Sequence, residues 1–136
     1  MKLIYSAIFH PYENSDVQGF TVEFPDLPGC ITEGDNITEA LEMAVDAASG
    51  WLLSELESNR DIPNPSNLKS IKLDDDVSFV NLILIDINTY SMKFSSRCVR
   101  KNLTIPQWLN NRAEKAKVNF SQVLQEALLD QLKIAK

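Results

Sequence analysis

Apolar and polar positions alternate from Phe20 to Phe24, with Phe20, Val22 and Phe24 on one side and Thr21 and Glu23 on the other. That period of two predicts a strand with one buried face. Pro25 ends it. Pro28-Gly29 then predicts a turn, because proline pre-sets its own φ and glycine tolerates positive φ, and Cys30 to Glu33 returns as a second strand. Asn36 stands three residues before Glu39, the spacing of a capped helix N-terminus. From there Ile37, Leu41, Ala44, Ala48 and Leu52 recur at helical spacing as far as Glu57. The alanines on that stripe allow the helix to sit close on a sheet, so an α/β layer is expected with this helix covering one side.

Ahead of this unit, Leu3, Tyr5, Ala7 and Phe9 alternate with Ile4, Ser6 and Ile8, which predicts a first strand apolar on both faces, followed by a polar turn over Glu13 to Gly19. Beyond the helix, Asn59 to Asn67 carries Pro63 and Pro65 and forms a loop that cannot continue it. Asp74, Asp75 and Asp76 mark a solvated turn. Val77 to Asn88 contains Leu82, Ile83, Leu84 and Ile85 in succession, which predicts a strand buried on both faces. One helix covers only one of those faces. The other is expected to lie under a second subunit or a partner protein, the alternative being a loop folded over the back.

The tail follows a polar, partly basic connection, TYSMKFSSR. Val99, Lys101, Leu103 and Ile105 share one face of a further predicted strand, and Arg100, Asn102 and Thr104 share the other. Pro106 suits the first position of a helix whose inner stripe is Leu109, Arg112, Ala113 and Ala116, with Trp108 beside it. Asn119 can cap a second helix with an inner face of Phe120, Val123, Leu124, Ala127, Leu128 and Leu132. A lone strand with two helices leaves its backbone edge unpaired and buries little surface, so this unit is expected to pair with a copy of itself.

Charge sharpens the division. The chain has 136 residues and a net charge of −6, but residues 1–90 hold 4 Lys/Arg against 16 Asp/Glu, while residues 91–136 hold 9 against 3. A body at −12 and a tail at +6 suggest two differently charged partners, with nucleic acid suited to the tail. Length and composition fit a soluble protein of one ordinary domain or two small ones, and no apolar run reaches membrane-spanning length. The start reads as a strand rather than a leader, so a cytoplasmic protein is expected. Cys30 and Cys98 lie in different modules without metal-ligand spacing and are expected as small buried or half-buried side chains. His10, the only histidine, has no assignable catalytic partners and is read as structural.

The ordered run F-P-D-L-P-G-C, then T-E-G-D-N, then E-A and the alanine-rich helix resembles the N-terminal domain of HicB-type antitoxins over roughly the first two thirds of the chain. The strand and two helices of the tail resemble the ribbon-helix-helix fold, whose two-stranded ribbon enters the major groove. Together the resemblances imply an α+β protein: a partial RNase H-like sheet with one covering helix over 1–90, and a dimeric ribbon-helix-helix domain over 91–136.

They further imply that the acidic domain binds and blocks a small basic HicA-type toxin, an mRNA-cleaving ribonuclease, while the tail represses the shared operon by binding operator DNA as a dimer. The dimers could in turn join into tetramers. By position, Arg100, Asn102 and Thr104 would face bases, Lys101 could reach phosphate, and Asn119, Phe120 and Ser121 would meet a phosphate at the helix start. Lys117 and Val118 stand where that fold usually has glycine between its helices. Glu23, Asp26 and Glu33 flank the turn and are the expected toxin contacts.

No cofactor, metal or catalytic residue is expected. One alternative is a stand-alone repressor whose N-terminal domain senses a ligand or oligomerises. A metal-dependent nuclease using Asp86 is the other, and the acids that it needs, Asp74 to Asp76 among them, are not brought together by the sequence.

Overall fold

The computed structural model describes residues 2–14, 17–94 and 98–132. It divides into two compact units, Lys2–Phe94 and the segment from Ser95 onwards. The first is a mixed α+β layer. Strands β1 (Lys2–Asn14), β2 (Val17–Glu23), β3 (Ile31–Gly34) and β4 (Phe79–Asp86) form one antiparallel sheet in the order β3-β2-β1-β4. Helix α1 (Ile37–Glu57) connects β3 to a long loop before β4, and a short helix α2 (Ile87–Phe94) follows β4 directly.

The predicted unit from Phe20 to Trp51 forms through local bonds. After β2, Leu27 N donates to Phe24 O at 3.1 Å and Cys30 N to Leu27 O at 3.0 Å, so two turns follow one another. Gly29 takes φ +81 at the third position of the second turn, after Pro28, which is the type II geometry that excludes most side chains. The Trp51 indole N–H reaches the Pro28 carbonyl at 3.1 Å and ties α1 to that turn. Asn36 Oδ1 accepts from Glu39 N at 2.8 Å and caps α1. At the far end Asn59, with φ 58, closes the helix: Arg60 N bonds to Glu55 O and Asn59 N to Leu56 O.

The core lies mainly on one face of the sheet. Leu3, Tyr5, Ala7, Phe9, Val22, Ile83 and Ile85 are buried there, and Ala40, Ala44, Ala48 and Leu52 of α1 supply the facing stripe, while Ser6 and Ile8 of the other face are buried as well. Close approach shows at Gly34, where a Cβ would collide with the Ala40 backbone. The stripe differs slightly from the expected one. Ile37 is exposed and Leu41 half-buried, while Ala40 and Ser49 are buried instead.

Four expectations change. Glu13 to Gly19 is not one polar turn, because the β1–β2 ladder continues through Glu13↔Gln18 and Asn14↔Val17; Ser15 and Asp16 lie outside the described residues. The last strand is shorter than Val77 to Asn88, and one face of it is open: Ile83 and Ile85 are buried, but Leu82 and Leu84 are exposed. Part of the expected connection TYSMKFSSR is helix α2, started by Asp86, whose carboxylate accepts from Thr89 N at 3.2 Å; Ser95 to Arg97 lie outside the described residues. Cys30 is buried as expected, whereas Cys98 is exposed.

The second unit contains α3 (Gln107–Lys115) and α4 (Phe120–Leu132). The expected strand over Val99 to Ile105 has no ladder in the single chain, since a strand needs a second backbone to bond. Pro106 stands just before α3, and Asn110 N bonds to its carbonyl at 3.0 Å. The turn between the helices is closed by Lys117 at φ 57, with Val118 N bonded to Ala113 O and Lys117 N to Glu114 O. These two bonds are those of a helix end that ordinarily carries glycine.

Candidate functional site

Two sets of residues carry the candidate chemistry, one on each unit. On the acidic unit, β-ladder register decides which side chains share a face. Thr21 pairs with Glu33, Glu23 with Ile31, and Ile8 with Glu23, so Glu23, Glu33 and Ile31 stand on the sheet face opposite the core, together with Ile4, Leu82 and Leu84. Four of these are largely exposed: Ile4 49%, Ile31 62%, Leu82 50% and Leu84 55%. Ile4, Leu82 and Leu84 adjoin on β1 and β4, whereas Ile31 stands across Glu23 on β3, with Ser6 and Ile8 buried between them. Glu33 is exposed and carries its charge to solvent.

Glu23 and Asp26 are engaged within the chain. The His10 ring lies between Glu23 Oε1, 3.0 Å from Nε2, and Ser78 Oγ, 2.8 Å from Nδ1. This row of Glu, His and Ser resembles a hydrolytic triad only in composition. Ser78 is buried and its hydroxyl donates to Asp75 Oδ2 at 3.0 Å, so the oxygen is committed to closing the turn before β4. Backbone and hydroxyl donation from Ser78 holds the Asp75 carboxyl below the ordinary aspartate range. Sequence reading missed these partners of His10, because β1, β2 and the segment before β4 meet only in the folded sheet.

Asp26 accepts from Ser66 N at 2.8 Å and from Ser66 Oγ at 2.5 Å, pinning the long loop to the Pro25–Cys30 turns. Asp86 caps α2 rather than joining other acids, and among the described residues no group of three or more His, Cys, Asp or Glu is placed to hold a metal ion.

On the basic unit, Arg100, Lys101, Asn102 and Thr104 are all exposed on the segment before α3. Asn119 Oδ1 accepts from Gln122 N at 3.1 Å, which makes it the cap of α4. Phe120 and Ser121 then supply the first backbone N–H groups of that helix, both residues being exposed. The apolar side chains find no interior. None of the described residues 98–132 is buried, and Val99, Leu103, Trp108, Val123 and Leu132 are each more than half exposed. In the single chain the amphipathic helices therefore leave their apolar faces open.

Comparison with known proteins bears on the family and the fold. A family model described as a HicB-like antitoxin of bacterial toxin-antitoxin systems matches residues 5–129. Antitoxin HicB 1 of Photorhabdus laumondii is 35% identical over 81 residues, 60% of this chain and 50% of that protein, so the matched part spans about half the length of the curated relative. A chain of a toxin-antitoxin complex from Streptococcus pneumoniae superposes with a TM-score of 0.60 at 29% identity, covering 96% of this chain and 99% of that one. The antitoxin HicB of Burkholderia pseudomallei shares the fold, with a TM-score of 0.56 at 20% identity over 96% of this chain and 98% of that one. Among the described residues no helix is long and apolar enough to cross a membrane.

Proposed function

The chain belongs to the HicB-like antitoxin family of bacterial toxin-antitoxin systems, whose members are regulators and not enzymes, and from that membership we propose that it neutralises a small HicA-type ribonuclease toxin through its acidic unit and represses its own operon through its basic tail. One observation carries the proposal. The chain places 16 acidic and 4 basic residues in 1–90, against 3 and 9 in 91–136, and the described part of that tail buries nothing of its own. The acidic unit suits a basic, RNA-binding enzyme and would steer it by charge. The uncovered tail suits self-pairing.

In the paired form, Val99 to Ile105 would bond to the same segment of a second chain, giving a ribbon-helix-helix dimer, and dimers could assemble into tetramers. Arg100, Asn102 and Thr104 would face bases in the major groove, with arginine matched to guanine and asparagine to adenine. Lys101 and the N–H groups at Asn119, Phe120 and Ser121 would meet phosphates. On the acidic unit Glu23 and Glu33 would contact the toxin, with Asp26 holding the turn beside them. We read the sheet with its one covering helix as a partial RNase H-like layer and the protein as cytoplasmic.

The test has two arms. Adding the purified chain to a HicA-type toxin should abolish RNA cleavage near equal stoichiometry. Fragments of the upstream DNA should be retarded by the chain, and Asn102→Ala should weaken that binding by about 1–3 kcal/mol without unfolding the protein. Retained RNA cleavage would remove the antitoxin role. Retardation with no change in Asn102→Ala would remove that residue from base reading. Operator binding without toxin inhibition would favour the stand-alone repressor.

A further inference from the structure

The open sheet face and a cleft between α1 and α2 meet at Leu84. On the sheet, Ile4 pairs with Leu84 and Ser6 with Leu82, so three exposed apolar side chains form a strip along β1 and β4. β4 is one of the two edge strands of the sheet, and its outer edge borders the strip. Leu84 also lines a cleft of about 450 Å³ whose walls include Glu42, Asp46, Asp86 and Tyr90.

The cleft carries three acidic and two basic side chains. Lys2 stands opposite Asp86 in the ladder and attracts its carboxylate, and Lys93 lies over the Phe94 ring at 5.4 Å, while Glu42 and Asp46 have no ion-pair partner among the described residues. Ser49, 1% exposed, borders the same cleft with a buried hydroxyl that has no hydrogen-bond partner among the described residues. A buried polar group of that kind ordinarily finds a partner. Tyr90 adds an aromatic wall, 4.6 Å from the Phe94 ring.

We propose, resting on the antitoxin reading above, that this Leu84-centred surface is where the basic toxin docks: its apolar side chains cover Ile4, Leu82 and Leu84, and one of its arginine or lysine side chains enters the cleft beside Asp46 and Tyr90. Charge selects this occupant over a second copy. Two acidic bodies, each with 16 Asp/Glu against 4 Lys/Arg in residues 1–90, would repel across the face, whereas a basic RNA-binding protein is attracted to it. Exposed apolar area gives the contact its strength, and a cation in a cleft with carboxylates and an aromatic wall gives it register.

The experiment titrates purified HicA-type toxin against the full chain, unchanged and carrying either Leu84→Glu or Asp46→Lys. Leu84 is more than half exposed and Asp46 is a surface residue of α1, so both variants should fold. Toxin affinity is expected to fall about 30-fold or more for Leu84→Glu and about tenfold for Asp46→Lys, with melting and retardation of upstream DNA unchanged. Unaltered affinity in both variants overturns the proposal. Loss of self-association at full toxin affinity also overturns it, by assigning the surface to a second copy or to the chain's own tail. If the unchanged chain binds no toxin, the antitoxin reading itself falls and this surface loses its occupant with it.

Discussion

Asp26 and Ser66, forty positions apart, are joined twice: one carboxylate oxygen accepts the Ser66 backbone N–H at 2.8 Å and the other its hydroxyl at 2.5 Å. This pair fastens the loop between α1 and β4 to the Pro25–Cys30 turns, and Tyr5 of β1 ties the same loop to the sheet by donating to the Pro63 carbonyl at 2.5 Å. Asp26→Ala should therefore cost about 1 kcal/mol, the value of an exposed rather than a buried pair. Thermal unfolding of residues 1–94 would show this as a melting point lower by about 4–8 °C. An unchanged melting point would mean that the pair contributes nothing to stability.

The helix ends supply a second prediction. Lys117 occupies the left-handed region at φ 57, the conformation that costs a side-chain-bearing residue most and glycine least. Lys117→Gly should stabilise the tail by about 0.5–1 kcal/mol, read by denaturant unfolding at fixed protein concentration, since the tail is expected to fold as a dimer. A loss of stability would show that the lysine side chain has contacts worth more than the strain.

Thiol chemistry separates the two cysteines. Burial pushes the Cys30 thiol up to about 11, whereas Cys98 is exposed. At about pH 8 a thiol reagent should label one cysteine rapidly in the native protein and the second only on unfolding, and Cys98→Ser should abolish the rapid phase. Two rapid thiols in the native chain would contradict the placement of Cys30.

Acid stability follows from Asp75. Its carboxylate accepts from Ser78 N at 2.6 Å, Ser78 Oγ at 3.0 Å and Val77 N at 2.9 Å, and its folded value lies below the ordinary one. For a depressed carboxylate the contribution is complete above the unfolded value, about 3.9, and is lost as pH falls through the lower folded value. Melting points recorded from about pH 6 to 2.5 should fall more steeply below pH 4 for the unchanged chain than for Asp75→Asn, which keeps an acceptor but does not titrate. Parallel curves would count against this role.

Much of the acidic unit is legible because its signals are local. The alternation of Phe20, Val22 and Phe24, the Pro28-Gly29 turn and the Asn36 cap each act within a few residues, and each appears in the fold with the expected geometry. The ends of elements are less legible. The polar residues Glu13 and Asn14 look like turn formers, yet the β2 ladder holds their backbones extended. Helix α2 is too short to show a period, and its one signal was Asp86 three residues before Thr89, a cap spacing hidden by the apolar strand in front of it.

The binding residues divide the same way. The exposed alternation of Arg100, Asn102 and Thr104 is visible in the sequence, but the ladder that it anticipates needs a second chain. On the acidic unit, the common face of Glu23, Glu33, Ile4 and Leu84 depends on pairing between distant strands, and the engagement of Glu23 by His10 depends on it too. Run-length alone made Leu82 and Leu84 look buried. They are exposed because α1 covers only the opposite face.

The most direct measurement is co-expression of this chain with a small HicA-type toxin, followed by size-exclusion chromatography of the purified mixture. The toxin should co-elute with the chain as a stable complex that fails to cleave RNA, and the complex should survive deletion of the tail from Ser95 onwards with a smaller mass. A toxin that elutes separately and remains active would contradict the assignment of the acidic unit as its inhibitor.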